Sequence, residues 1–159
     1  TLHRLNLMLK RTPVLAILVG FVMTSRHPRP AQRSRATPGL LAGFKRALRR
    51  LTLLRKSDNP RLIGITSSVA QQPRAFWGVY GASKAAFEVL LAAYGEENRT
   101  VGRIKVAIVD PGATATKMRA KAYPGEDPQS LKTPDEIMEP FITLATAAFT
   151  GNGEVVKAQ

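Results

Sequence analysis

The sequence predicts an α/β fold built on a parallel sheet, and three observations carry that expectation. Short apolar runs, "RLIGIT" (61–66), "IKVAIV" (104–109) and "EVVKA" (154–158), have the length and β-branched content of strands. Helical patterns separate them, at 78–98 and from Thr133 onward. Turn clusters such as "SDNP", "TVGR", "DPG" and "GNG" punctuate the boundaries. Strand–helix–strand–helix–strand order is the pattern of parallel strands joined by helical crossovers.

The first third of the chain is different in character. The net charge is +13, and residues 1–57 hold 13 Lys/Arg with no Asp or Glu, while 58–159 hold 11 of each sign. The domain division therefore falls at 57/58: a basic, acid-free segment of doubtful structure, then the C-terminal half of an α/β domain. Four readings of 1–57 are open. As an arm, its arginines would neutralise phosphates of nucleic acid or an anionic membrane surface. As a targeting segment, Lys10 and Arg11 precede the apolar run "PVLAILVGFVM" (13–23), which is about half the length of a membrane span. As ordinary structure, that run is a buried strand. "LLAGFKRALRRLTLLRK" (40–56) is then an amphipathic helix with Leu40, Phe44, Leu48 and Leu51 on one side. As frameshifted sequence, it has the composition of a GC-rich gene read out of frame. The chain opens on Thr1 rather than Met, as a fragment would.

From residue 58 the elements follow in order. Strand 61–66 is an unbroken apolar run apart from its ends. Helix 78–98 is small and apolar, yet carries Tyr80 and Lys84. Strand 104–109 ends at Asp110-Pro111-Gly112, since proline and glycine stop a strand. The polar stretch after it leads to a helix from Thr133, where Thr133 caps, Pro134 takes the first helical position and Glu136 completes a capping box. Ile137, Phe141, Leu144, Ala145, Ala148 and Phe149 form its apolar stripe, and Pro140 is expected to bend it.

Composition narrows the chemistry. With no cysteine, disulfides and thiolate metal sites are excluded. His3 and His27 lie far from any carboxylate cluster, so no metal site is expected. In a parallel sheet, ligands bind outside the carboxyl ends of the strands. Three features converge on that edge: Ser67 and Ser68 after the first strand, Asp110-Pro111-Gly112 after the second, and Tyr80 with Lys84 in the first turns of the helix between them. Tyr80 and Lys84 are at i and i+4 and share a helix face. A nearby ammonium favours the phenolate, lowering the tyrosine pKa. Such a phenol can pass a proton to or from a carbonyl oxygen that a serine hydroxyl holds still. The set suits carbonyl–alcohol interconversion with hydride supplied by a cofactor. Each part alone is common on ordinary helices and turns; the combination in this order is specific.

"YGASK" (80–84), with "ITSSVA" before it and "VDPGATATKM" (109–118) after it, resembles the short-chain dehydrogenases/reductases, over roughly residues 53–159. The resemblance implies a partial Rossmann-like sheet with flanking helices, lacking the usual first βαβ units. It implies an NAD(P)-dependent oxidoreductase acting on a small carbonyl or alcohol. Tyr80 would be the general acid/base. Lys84 would bind the nicotinamide ribose and depress the Tyr80 pKa. Ser67, 13 residues before the tyrosine, would be the catalytic serine, with Ser68 as second choice. Pro111, Gly112, Thr114 and Thr116 would border the nicotinamide, and Met118 and Tyr123, in the segment 117–132, would line the substrate pocket. NADP or NAD is the implied cofactor. A homo-oligomer through helix 78–98 and a cytoplasmic location go with the family; nucleic acid and membrane are not expected partners.

The sequence also departs from the family pattern. The Thr-Gly-x-x-x-Gly-x-Gly turn that holds pyrophosphate is absent. So are the Asn-Ala-Gly motif and the tetrad asparagine, due near Gly39. Strand 61–66 would lack its usual partner on one flank, unless "PVLAILVGF" fills the slot. Weak or absent dinucleotide binding is therefore expected. The alternative functions are a truncated, non-catalytic remnant and, from 1–57, a basic nucleic-acid or membrane-surface binder.

Overall fold

A computed structural model describes residues 54–100 and 102–159. The expectations on 1–53, including the apolar run and most of the amphipathic helix, lie outside the described residues.

Three parallel strands, β1 (Arg61–Ile65), β2 (Lys105–Asp110) and β3 (Glu154–Lys157), stand in the order β1-β2-β3. Helix α1 (Gly78–Thr100) joins β1 to β2. Two short helices, α2 (Lys117–Ala122) and α3 (Met138–Ala145), lie between β2 and β3. Among the described residues, no strand pairs the outer edge of β1.

The interiors of β1 and β2 are apolar because both faces of the sheet are covered there, while β3, at the edge, is mostly exposed. Alternate side chains serve opposite faces. Leu62, Val106 and Ile108 pack with Phe87 and Leu91 of α1, together with Leu54 and Ile104. Ile63, Ala107 and Val109 pack on the other face with Ile137, Phe141, Leu144 and Ala145. The steps from β1 to β2 and from β2 to β3 run the same way, while α1 and α3 cover opposite faces. The two crossovers therefore have opposite hand, and one departs from the right-handed rule that sequence order alone would suggest. Leu54, from the end of the basic segment, is fully buried in the α1 cluster.

Helix α1 has small residues where it approaches its neighbours. A Cβ on Gly81 would stand 2.9 Å from the Val69 carbonyl oxygen, so only glycine lets the helix start against the turn that follows β1. That turn is a short 3-10 segment at Ser68–Ala70. Arg61 is buried at the start of β1 without a carboxylate. Its guanidinium donates instead to the adjacent Pro60 carbonyl and to the carbonyl oxygens of Thr146 and Phe149, just past the C-terminal end of α3, where a cation is favoured.

The third helix differs from its sequence expectation. It begins at Met138, not Thr133, and ends before Ala148 and Phe149. Glu136 does reach back to Thr133, accepting from its backbone N–H and its hydroxyl, each at 2.7 Å. The Thr133 hydroxyl thus donates to Glu136 rather than capping a backbone N–H, and residues 134–137 form turns. Pro140 sits in the first turn of α3, where an N–H has no helical partner in any case, so it bends nothing. Phe149 still packs against the α3 cluster, from beyond the helix. The stretch expected to be simply polar holds α2 and a 3-10 turn at Pro128–Ser130.

Ile108 is fully buried between β2's neighbours and α1. Ile108→Ala should lower stability by about 2–5 kcal/mol, through lost transfer energy and the cavity left behind. The fall in the urea midpoint at unchanged m-value checks it.

Candidate active site

The carboxyl ends of β1 and β2 and the first turns of α1 meet at one edge. Thr66 continues β1, its N–H donating to the Val109 carbonyl. The chain then turns through Ser67 into the 3-10 segment, and α1 returns with Tyr80 and Lys84 facing the turn. The Ser67 hydroxyl lies near the Tyr80 side chain, close enough to act on its titration. Lys84 is buried, and its Nζ donates to the Ile65 carbonyl at 2.9 Å. The same Nζ lies 5.8 Å from the centroid of the Tyr80 ring. Ser68 is the first residue of the 3-10 segment, with Ser67 at its N-cap.

Burial governs the titration of both groups. Desolvation raises the Tyr80 phenol above its ordinary value; the neighbouring Ser67 hydroxyl opposes that rise and the Asp110 charge adds to it. Desolvation lowers Lys84 to about 8. The expected depression of the Tyr80 pKa by Lys84 is thus not the net outcome. The ammonium sits over the ring and spends one hydrogen on Ile65, while burial acts on the phenol itself.

After β2, Asp110 folds the chain: its carboxylate accepts from the Gly112 N–H at 3.0 Å. Gly112 is in the left-handed region, with φ of +70°, where a side chain would be strained. Gln159 spans the turn, its amide donating to the carbonyls of Pro111 and Ala113. Thr114 is buried and donates to the Pro111 carbonyl. Thr116 caps α2 by accepting from the Arg119 N–H. Met118 is on α2 and exposed. Tyr123 follows α2 and stacks on Trp77, close to Tyr80. Thr114 also pairs with Lys132, which closes 114–132 into a loop pinned at its base.

The short chain dehydrogenase family profile matches residues 37–127, which includes the serine turn, Tyr80, Lys84 and the Pro-Gly turn. The chain belongs to the short chain dehydrogenase family. The match begins inside the basic segment, earlier than residue 53. Over 94 residues the chain is 47% identical to the uncharacterised oxidoreductase YciK of Escherichia coli strain K12, covering 59% of this chain and 36% of that protein. A short chain dehydrogenase structure from Pseudomonas syringae matches with a TM-score of 0.83 at 31% identity, covering 91% of this chain and 61% of that one. One from Shigella flexneri 2a, complexed with NADP, matches with a TM-score of 0.79 at 32% identity, covering 99% of this chain and 68% of that one. The chain thus spans about a third of the curated relative and under two thirds of the Pseudomonas structure.

In this member of the short chain dehydrogenase family, sequence reasoning missed several neighbours of the site. Glu88, one turn beyond Lys84, accepts from the Thr66 hydroxyl and the Gln71 amide, clasping both sides of the serine turn to α1. Its i+4 spacing from Lys84 was the available signal. Asp110 acts on Tyr80 through space, which no spacing shows. Trp77 lies edge-on to Tyr80, with centroids 5.4 Å apart; its place three residues before Tyr80 was visible, but its ring's direction was not. Among the described residues, no group of three or more His, Cys, Asp or Glu could hold a metal ion. Nor is any helix there long and apolar enough to cross a membrane.

The Lys84 shift has a consequence for stability. Its folded pKa of about 8 lies below the ordinary 10.5, so folding disfavours the charged form. Between those values the unfolded chain holds a proton the folded chain has released, so stability rises with pH across that window. Tyr80 works the other way only above its ordinary value of 10. In urea unfolding across the window, Lys84→Met should flatten the rise; an unchanged slope would contradict the buried-lysine assignment.

Proposed function

We propose that this chain carries the catalytic edge of an NAD(P)-dependent oxidoreductase that interconverts a small carbonyl compound and its alcohol, with Tyr80 as general acid/base. The observation that carries the proposal is the meeting of Ser67, Tyr80 and the buried Lys84 at the carboxyl edge of the sheet, where Lys84 Nζ donates to the Ile65 carbonyl and lies 5.8 Å from the Tyr80 ring centroid. In reduction, the carbonyl oxygen accepts hydrogen bonds from the Ser67 and Tyr80 hydroxyls. As negative charge develops on that oxygen, the Tyr80 proton moves to it and forms the alcohol. Lys84 stabilises the phenolate left behind, and a proton from solvent restores the tyrosine. A phenol whose pKa is raised keeps its proton at neutral pH, which suits the acid role. Ser67 holds the oxygen in place; Ser68 is the second candidate.

The residues fit the nicotinamide end of a dinucleotide. Lys84 Nζ uses one of its hydrogens on Ile65, leaving two for ribose hydroxyls. Pro111 and Gly112 form the adjoining turn, and Thr114 and Thr116 are proposed to meet the carboxamide and the neighbouring phosphate. When bound, the nicotinamide supplies or takes the hydride at the carbonyl carbon. Met118 and Tyr123 are proposed to face substrate. A homo-oligomer through α1 is supported by its exposed Val79, Val89 and Leu90.

A second reading, a non-catalytic remnant, is favoured by one observation: the sequence carries no glycine-rich phosphate-binding turn. Calorimetry with NADPH separates the two, since micromolar binding supports the enzyme and no detectable binding supports the remnant. Given binding, NADPH oxidation should be followed with a panel of aldehydes and ketones. Tyr80→Phe should lower turnover at least about 100-fold; undiminished turnover would refute the role of Tyr80.

A further inference from the structure

At the mouth of the site, side chains from two parts of the chain form one continuous row. Trp77, just before α1, meets Tyr80 edge-on at 5.4 Å and stacks on Tyr123 at 5.7 Å, with the two planes 17° apart. The Arg119 guanidinium carbon stands 3.9 Å from the Tyr123 ring centroid. Glu126 in turn holds Arg119 through two hydrogen bonds, from Nε at 2.6 Å and from Nη2. That ion pair is partly exposed, and each partner stabilises the charge of the other. Arg119, Tyr123 and Glu126 all lie in the loop 114–132, whose base is pinned by Thr114 and Lys132.

We propose that Trp77 is a positioning residue that latches the substrate-facing loop onto the catalytic helix. One indole touches both the proposed acid/base and the loop that faces it. The loop's position is thereby coupled to the Tyr80 ring across a single side chain. Arg119 and Glu126 stiffen the loop side of the latch by holding Tyr123 against its cation. The row is not part of the folding core, since neither Trp77 nor Tyr123 belongs to either apolar cluster. The proposal rests on Tyr80 as acid/base and on the loop as substrate-facing.

Trp77 is the chain's sole tryptophan, so its emission reports the latch without any turnover. Tyr123→Ala should red-shift that emission and increase acrylamide quenching, while Tyr123→Phe, which keeps the ring, should not. Trp77→Ala should speed tryptic cleavage after Lys121 about five- to tenfold, the scale of one aromatic pair, with the urea midpoint nearly unchanged. Trp77→Phe should restore most of the protection. Unchanged emission in Tyr123→Ala, or unchanged cleavage in Trp77→Ala, overturns the latch. So does a loss of cleavage protection matched by a fall in the urea midpoint, which would make Trp77 a folding residue. In the active enzyme, Trp77→Ala should raise KM more than it lowers kcat; an equal KM would also count against it. Should Tyr80→Phe keep full turnover, the catalytic reading falls, and the emission and cleavage arms still decide whether the loop is latched.

Discussion

The hydrogen bond from the buried Lys84 ammonium to the Ile65 carbonyl is the constraint on which the site depends. It joins the middle of the second turn of α1 to the last residue of β1. Ile65 is followed at once by Thr66 and the serine turn, so fixing its carbonyl fixes where Ser67 begins. Lys84 also fixes the rotation of α1 about its axis, and Tyr80, one turn earlier on the same face, is thereby aimed at Ser67. A buried cation without a carboxylate is costly, and burial accordingly lowers Lys84 to about 8. A fold that keeps such a group holds it for what it places.

Around that bond, the remaining contacts act as braces. Glu88 ties Thr66 and Gln71 to α1 on the far side of the serines. Gly81 lets the helix come down onto the Val69 carbonyl. Asp110 and Gln159 shape the Pro-Gly turn beside it. The sheet supplies the rigid base: two apolar clusters, one per face, hold β1 and β2 so that their carboxyl ends are level. Catalytic geometry is held best on such elements, because their own positions are set by packing.

Much of this was legible in the residues. The three strands, the long helix and the Tyr80–Lys84 spacing follow from apolar runs and a 3.6-residue period, which are local properties. The 13-residue spacing that the resemblance implies points to Ser67, and Ser67 stands near enough to the phenol to act on its titration. The third helix was misjudged at both ends. Its capping signal at Thr133 and Glu136 is real, but the two side chains bond each other in a turn, and Pro140 admits a helix only where its missing N–H costs nothing. Helix α2 was not anticipated, since six residues, three of them Lys or Arg, are too short to carry a periodic stripe. The hand of the crossovers was equally hidden, because nothing local says which face of a sheet a helix will cover.

The sequence by itself named the candidate groups for chemistry, because reactive types and their spacing along a helix are written in covalent order. It also determined the sheet's parallel character, through strands apolar on both faces. Only the tertiary structure decided the state of those groups. Burial, which depends on everything packed around a residue, raises the Tyr80 phenol and lowers Lys84. Contacts across 46 residues of chain, from Trp77 to Tyr123, likewise exist only once β2 has returned the loop to the start of α1. Spacing names the participants, and the dielectric and geometry around them come from the fold.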